Sequence, residues 1–160
     1  MKQIELTKGQ FALVDDEDFE ELNQFKWHAI VARDTFYAVR KIYTNKEKVS
    51  TMMHRVILGT TNKKIQIDHK DGNGLNNQKN NLRESTASQN QSNTSYQKNN
   101  AFKYKGVGWH KGASKYRARI TLNGKEYHLG LFEDIIDAAK AYDEKAKELF
   151  GEFAWLNFKE

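Results

Sequence analysis

Hydrophobic and polar positions change over along this chain in short runs, so the pattern predicts many small elements and no long helix before residue 133. "QFALV" (10–14) and "TFYAVRKIY" (35–43) have the apolar or alternating character of strands, and the acidic "DDEDFEEL" between them predicts a short helix opening on Asp-rich capping chemistry. In "STMMHRVILG", Met52, Met53, Val56 and Ile57 are spaced for one face of a short helix ending at Gly59. His54 and Arg55 within it read as packing and hydrogen-bonding residues. "KIQIDH" alternates as a strand, turns in "KDGNG", returns through "NNLRES" and runs into a helix starting near Ser85 or Thr86.

Residues 88–100, "SQNQSNTSYQKNN", are almost wholly polar, the composition of a linker, and place a domain boundary at 95–102. Three short strands follow in "KYKGVGWH", "KYRARITLN" and "KEYHLGLF", the last two joined by the hairpin signal Asn123-Gly124. A helix is then expected from Asp134 as cap to Gly151 as stop, with Ile135, Ala138, Ala139, Tyr142, Ala146 and Leu149 as its apolar stripe.

Composition narrows the chemistry. Cysteine is absent, which excludes disulfides and thiolate metal sites and leaves oxygen or imidazole donors for any cation. No stretch approaches the roughly 20 apolar residues of a membrane span, and the opening carries no apolar signal core. A cytoplasmic, intracellular location is expected. The net charge of +5 is unevenly spread: residues 103–130 hold seven basic side chains and one acid, whereas 131–160 hold four and eight. In "KYRARITLN", Tyr116, Ala118 and Ile120 alternate with Arg117, Arg119 and Thr121, so one sheet face meets the helix and the other offers cations to phosphate.

"YKGVGWH", "YRARI", "LGLF", "AAKAYDEKA" and "GEFAWLNF" resemble, in order across residues 103–158, the plant ethylene-responsive-factor (APETALA-two type) DNA-binding domain. The resemblance implies a three-stranded sheet entering the major groove of double-stranded DNA, backed by one helix. It puts Lys105, His110, Arg117, Arg119, Thr121 and His128 at or near DNA-contacting positions, and leaves Trp109 either as a stacking contact or as core. Gly108 replaces a basic residue and His128 an aromatic of the plant pattern, so the plant target sequence does not carry over.

"MHRVILG", "DHKDGNGLNNQKNNLR" and "QNQSN" resemble the HNH nucleases, and in particular phage and intron-encoded HNH homing endonucleases, over residues 52–93. That family's ββα-metal motif implies His69 as general base, Asn81 as the brace of its loop, and Asp68 and Asn90 as metal ligands, with Asn93 a rival for Asn90. Asn90 stands where His is commoner, and an amide oxygen suits hard Mg²⁺ or Mn²⁺ better than zinc. Asn73, Asn76, Asn77 and Asn80 read as turn and capping residues.

The expected fold is α+β: a nuclease module at 1–94, a linker at 95–102 and a DNA-binding module at 103–158. The expected activity is metal-dependent phosphodiester hydrolysis on double-stranded DNA, as a nicking monomer or a double-strand-cutting homodimer. The alternative is a non-catalytic DNA-binding regulator with the HNH region as scaffold. An RNA partner is disfavoured by the lack of aromatic clusters for stacking single strands.

Overall fold

The computed structural model describes residues 1–32, 35–43, 48–96 and 100–158. In chain order the elements are β1 (Lys2–Glu5), β2 (Phe11–Val14), α1 (Asp16–Asn23), β3 (His28–Ala32), β4 (Thr35–Tyr43), β5 (Lys48–Met52), α2 (Met53–Ile57), β6 (Gln66–His69), β7 (Leu82–Ser85), α3 (Ala87–Ser92), β8 (Val107–His110), β9 (Lys115–Leu122), β10 (Lys125–Phe132) and α4 (Ile135–Phe150). The strands form small antiparallel sheets, β1-β2, β3-β4-β5, β6-β7 and β8-β9-β10, which with the helices make an α+β fold. The chain divides into two compact units, Met1–Thr86 and Ala87–Glu160. This division falls ahead of α3, while the polar composition that suggested a linker lies at 95–102, partly outside the described residues. No helix among the described residues is long and apolar enough to cross a membrane.

In the first unit, Ile4, Ala12, Val14, Leu22, Trp27, Ala29, Ala38 and Met53 pack into one core. Met52 ends β5 opposite Val39 rather than opening α2, so the helix is shorter than its apolar spacing suggested. β1, β3 and β5 are the hairpin partners of the patterned strands; their own runs are too short or too polar to announce themselves.

The same core takes Leu75 from the Asn-rich loop between β6 and β7. Loop and β2 exchange backbone hydrogen bonds: Leu13 N–H donates to Leu75 O at 2.8 Å and Asn77 N–H to Leu13 O at 2.8 Å. Asp15, placed to cap α1, makes no side-chain cap; its carboxylate accepts from Gln78 Nε2 at 3.1 Å and Lys79 N–H at 2.8 Å. The acidic stretch thus tethers the loop as well as starting the helix.

In the second unit, Val107, Ala118, Ala138 and Ala139 form one cluster, and Ile120, Tyr142 and Ala146 another, so the Ala118–Ile120 face of the sheet is covered by α4 as the alternation predicts. Asn123 and Gly124 both take positive φ, 51° and 78°, the turn that their dipeptide favours. Asp134 caps α4 by accepting from Ile136 N–H. Gly106 has φ 76°, and a Cβ there would stand 2.0 Å from the Tyr142 ring, so only glycine lets β8 approach α4 this closely.

Candidate active site and nucleic-acid face

β6 and β7 pair in the register Asp68↔Arg83 and His69↔Leu82, which sends Asp68 and His69 to opposite faces of the hairpin. Asp68 is 4 % exposed, and its Oδ2 receives Arg83 Nε at 2.8 Å with Arg83 Nη2 at 2.7 Å. Removing the guanidinium strands a buried carboxylate, a loss of about 3–5 kcal/mol.

His69 is buried, with its Nε2 3.5 Å from Asn77 Oδ1. Asn77 is 1 % exposed and its Nδ2 donates to Leu75 O at 3.1 Å, which fixes the amide with oxygen toward the imidazole. An acceptor at Nε2 puts the proton of the neutral ring there and the lone pair on Nδ1. Tyr37 and His54 wall the ring: both contact it edge-on, with centroids 5.7 and 5.1 Å away. Burial holds His69 below the usual imidazole pKa, against Asn77, Asp71 and Asp68, which favour the protonated form. Burial, then the neighbouring His69 and Arg55, push His54 down to about 3.

Asn81 holds the loop on both of its amide ends. Its Oδ1 accepts from Asp71 N–H at 3.1 Å, and its Nδ2 donates to Asp71 Oδ1 at 3.0 Å and Asn76 O at 2.8 Å. Asp71 also accepts from Asn73 N–H and Asn76 Nδ2, both at 2.8 Å, and so gathers the loop's amides around one carboxylate. Asn77, grouped from sequence with the turn residues, faces the imidazole instead, and Asp71 and Tyr37 drew no notice. The only sequence signal for Asp71 is its place in Asp-Gly-Asn-Gly, an Asx-turn pattern.

Asn90 lies on α3 in the second unit, half-buried, and Asn93 follows as a buried residue just past the helix. Among the described residues no three His, Asp or Glu side chains cluster as metal ligands. Asp68 belongs to the first unit, and Asn90 and Asn93 to the second. Arg83 already compensates part of the Asp68 charge.

On the sheet of the second unit, register puts His110, Arg117, Arg119, Thr121 and His128 on one face. Arg119 pairs with Glu126 at 2.7 Å, both half-exposed, a surface contact that a phosphate can displace. Arg117 Nε is buried without a hydrogen-bond partner. His110 Nδ1 accepts from Ala113 N–H at 3.1 Å, leaving Nε2–H as donor in the neutral ring. Two residues lie elsewhere. Trp109 stands opposite Tyr116, on the face of Val107 and Ala118, with ring centroids 5.0 Å apart. Lys105 donates from Nζ to Ser92 O and Thr94 O, both at 2.6 Å, at the end of α3. Burial pushes that ammonium down to about 8.

A family model described as HNH endonuclease matches residues 52–92. A mimivirus protein of Acanthamoeba polyphaga mimivirus named "Uncharacterized HNH endonuclease L560" is 32% identical over 156 residues, covering 94% of this chain and 76% of that protein. "Protein 3.8" of Escherichia phage T7 is 32% identical over 96 residues, 60% of this chain and 78% of that protein. No solved structure matches.

Proposed function

Since the chain belongs to the HNH endonuclease family, we propose that it is a sequence-directed, metal-dependent DNA endonuclease of the homing type, acting on intracellular double-stranded DNA. The observation that carries this reading is the setting of His69: a buried imidazole whose Nε2 faces an amide oxygen, on a loop held by Asn81. In this orientation Nδ1 is the basic atom of the ring, the one that can accept a proton from an attacking water. It takes the water's proton as the oxygen attacks phosphorus, a contribution of about 10²–10⁴ in rate. Neutrality matters here, because only the unprotonated ring is a base, and burial keeps it so near pH 7. Asn81 and Asp71 hold the loop that carries His69, so the ring does not have to be ordered during the reaction.

Asp68 and Asn90 are the residues that would hold Mg²⁺ or Mn²⁺; the cation neutralises charge developing at the phosphate when bound. The C-terminal sheet, by its likeness to the APETALA-two type domain, carries target recognition through Arg117, Arg119, Thr121, His110 and His128, the residues of its cationic face. Trp109 and Lys105 support that sheet and α3 from other faces. One HNH site cuts one strand, so a monomer nicks and a homodimer breaks both strands.

The test is conversion of supercoiled plasmid to nicked circle. Activity is expected with Mg²⁺ or Mn²⁺, none in chelator, and none for Asp68→Ala at any metal concentration. Binding of duplex without nicking under every metal condition favours the non-catalytic regulator instead.

A further inference from the structure

Away from His69, the N-terminal unit carries an open groove of about 620 Å³ along β4 and the chain leading into β3, lined by Phe25, Lys26, His28, Arg40, Lys41 and Tyr43 among others. The Arg40 guanidinium lies over the Phe25 ring, its carbon 3.9 Å from the centroid and 5.5 Å from that of Trp27. Trp27 is fixed in the core, its Nε1 donating to Leu22 O at 2.8 Å. Phe25 and Tyr43 are 44 % and 72 % exposed.

Nε and Nη1 of Arg40 and Nδ1 of His28 are buried without a hydrogen-bond partner. Unmatched buried donors cost about 1–3 kcal/mol each, more when charged, so two on the one Arg40 guanidinium call for an explanation. The other described guanidiniums on this unit differ: Arg83 meets Asp68, and Arg55 donates to the carbonyls of Asn62 and Ile65. No carboxylate is among the described residues lining the groove, while Lys26 adds an exposed ammonium group; Lys41 follows Arg40 on β4 and faces the other side of the sheet. The rings hold the guanidinium plane, and the edge of that plane carries the donors that match an anionic oxygen pair.

We infer that this groove is a seat for a backbone phosphate of the DNA strand, with Arg40 as the oriented fork and Lys26 as the neutralising charge. The identity of the anion rests on the nuclease reading above. An open groove without a closed anion cage suits a phosphate presented by a polymer running along the surface. A backbone seat on the catalytic unit adds affinity that does not depend on sequence. Phe25 borders the seat.

The experiment uses the full chain and a random-sequence duplex in chelator, with anisotropy titrations across a range of KCl. The variants are Arg40→Gln, Arg40→Lys and Lys26→Gln, the last confined to an exposed side chain so that folding is preserved. The seat holds one phosphate, so Lys26→Gln should lower the salt slope by up to about 0.9, with affinity reduced on all sequences alike. Arg40→Lys should recover the slope but only part of the affinity, since it keeps the charge and loses the fork. The Arg40 Nε proton resonance should shift on adding duplex; a shift with inorganic phosphate and none with duplex overturns the assignment to a polymer backbone. An unchanged slope in folded Lys26→Gln, with a wild-type chain that nicks plasmid, overturns the seat alone. A wild-type chain that binds duplex and never nicks overturns the nuclease reading, and the seat then stands or falls by the slopes.

Discussion

The rings of His54 and His69 stand edge to face with centroids 5.1 Å apart, and Tyr37 closes the triangle at 5.9 and 5.7 Å. Two buried imidazoles at this distance cannot both carry a proton at modest cost. His54, deep in the wall, stays neutral down to about pH 3, while an unfolded chain would protonate it near pH 6.5. The unfolded state therefore binds more protons between these limits, and stability is present above pH 6.5 and lost as pH falls toward 3. We expect a loss of about 2 kcal/mol between pH 7 and pH 5 from His54 alone, read as a falling urea midpoint. His54→Gln should flatten that fall, and a midpoint with the same pH dependence in both proteins would refute the burial argument.

His69→Ala should slow nicking by at least about 10²-fold and leave duplex affinity nearly unchanged, because the imidazole moves a proton and binds no phosphate in this reading. Asn77→Leu keeps the volume and removes the oxygen facing Nε2, so it should lower kcat less than His69→Ala without moving the duplex Kd. If His69→Ala and wild type nick at equal rates, the base is another residue.

The loop itself should be intolerant of small additions. A Cβ at Gly74 would lie 2.5 Å from Phe36 O and 2.7 Å from the Tyr37 ring, and the first of these is backbone that cannot swing away. Gly74→Ala should therefore displace the loop from β4 and break the Gly74 N–H to Thr35 Oγ1 bond of 3.0 Å. Asn81→Ala removes three hydrogen bonds at once and should cost about 1–3 kcal/mol for each polar group left buried without a partner. Thermal unfolding of the two variants measures the stability, and amide exchange at residues 71–77 locates the loosening.

These contacts also mark what was legible before the structure. The strand ending in Asp68-His69, the Asn123-Gly124 turn and α4 from its Asp134 cap to Gly151 rest on neighbours a few residues apart, where local chemistry decides. Asn81 was placed by its resemblance to a motif. Asn77 has the same side chain in the same polar run, and only the fold distinguishes the amide that meets His69 from those that shape turns. His54 and Tyr37 are far from His69 in sequence, and no periodicity in either segment points across the gap. The service of Asp15 to Lys79, 64 residues on, is hidden for the same reason.

Lys105 gives the last test, since it joins the two halves of the C-terminal unit: its ammonium rests on Ser92 O and Thr94 O while its backbone N–H donates to Asn157 Oδ1 at 2.7 Å. A fragment of residues 103–158 contains the whole sheet and α4 but leaves that ammonium without its carbonyls, whereas residues 87–158 keep them. The longer fragment should be the more stable, both should bind duplex, and neither should cut it, because His69 lies outside them. With a folded pKa near 8 against about 10.5 when unfolded, Lys105 makes the unfolded state the better proton binder between those values, so the longer fragment should gain stability as pH rises from 8 toward 10.5. Lys105→Met should abolish that gain while leaving duplex affinity in place, and Arg119→Ala should do the reverse. Loss of duplex binding in Lys105→Met with unchanged unfolding would instead return Lys105 to the DNA-contacting set.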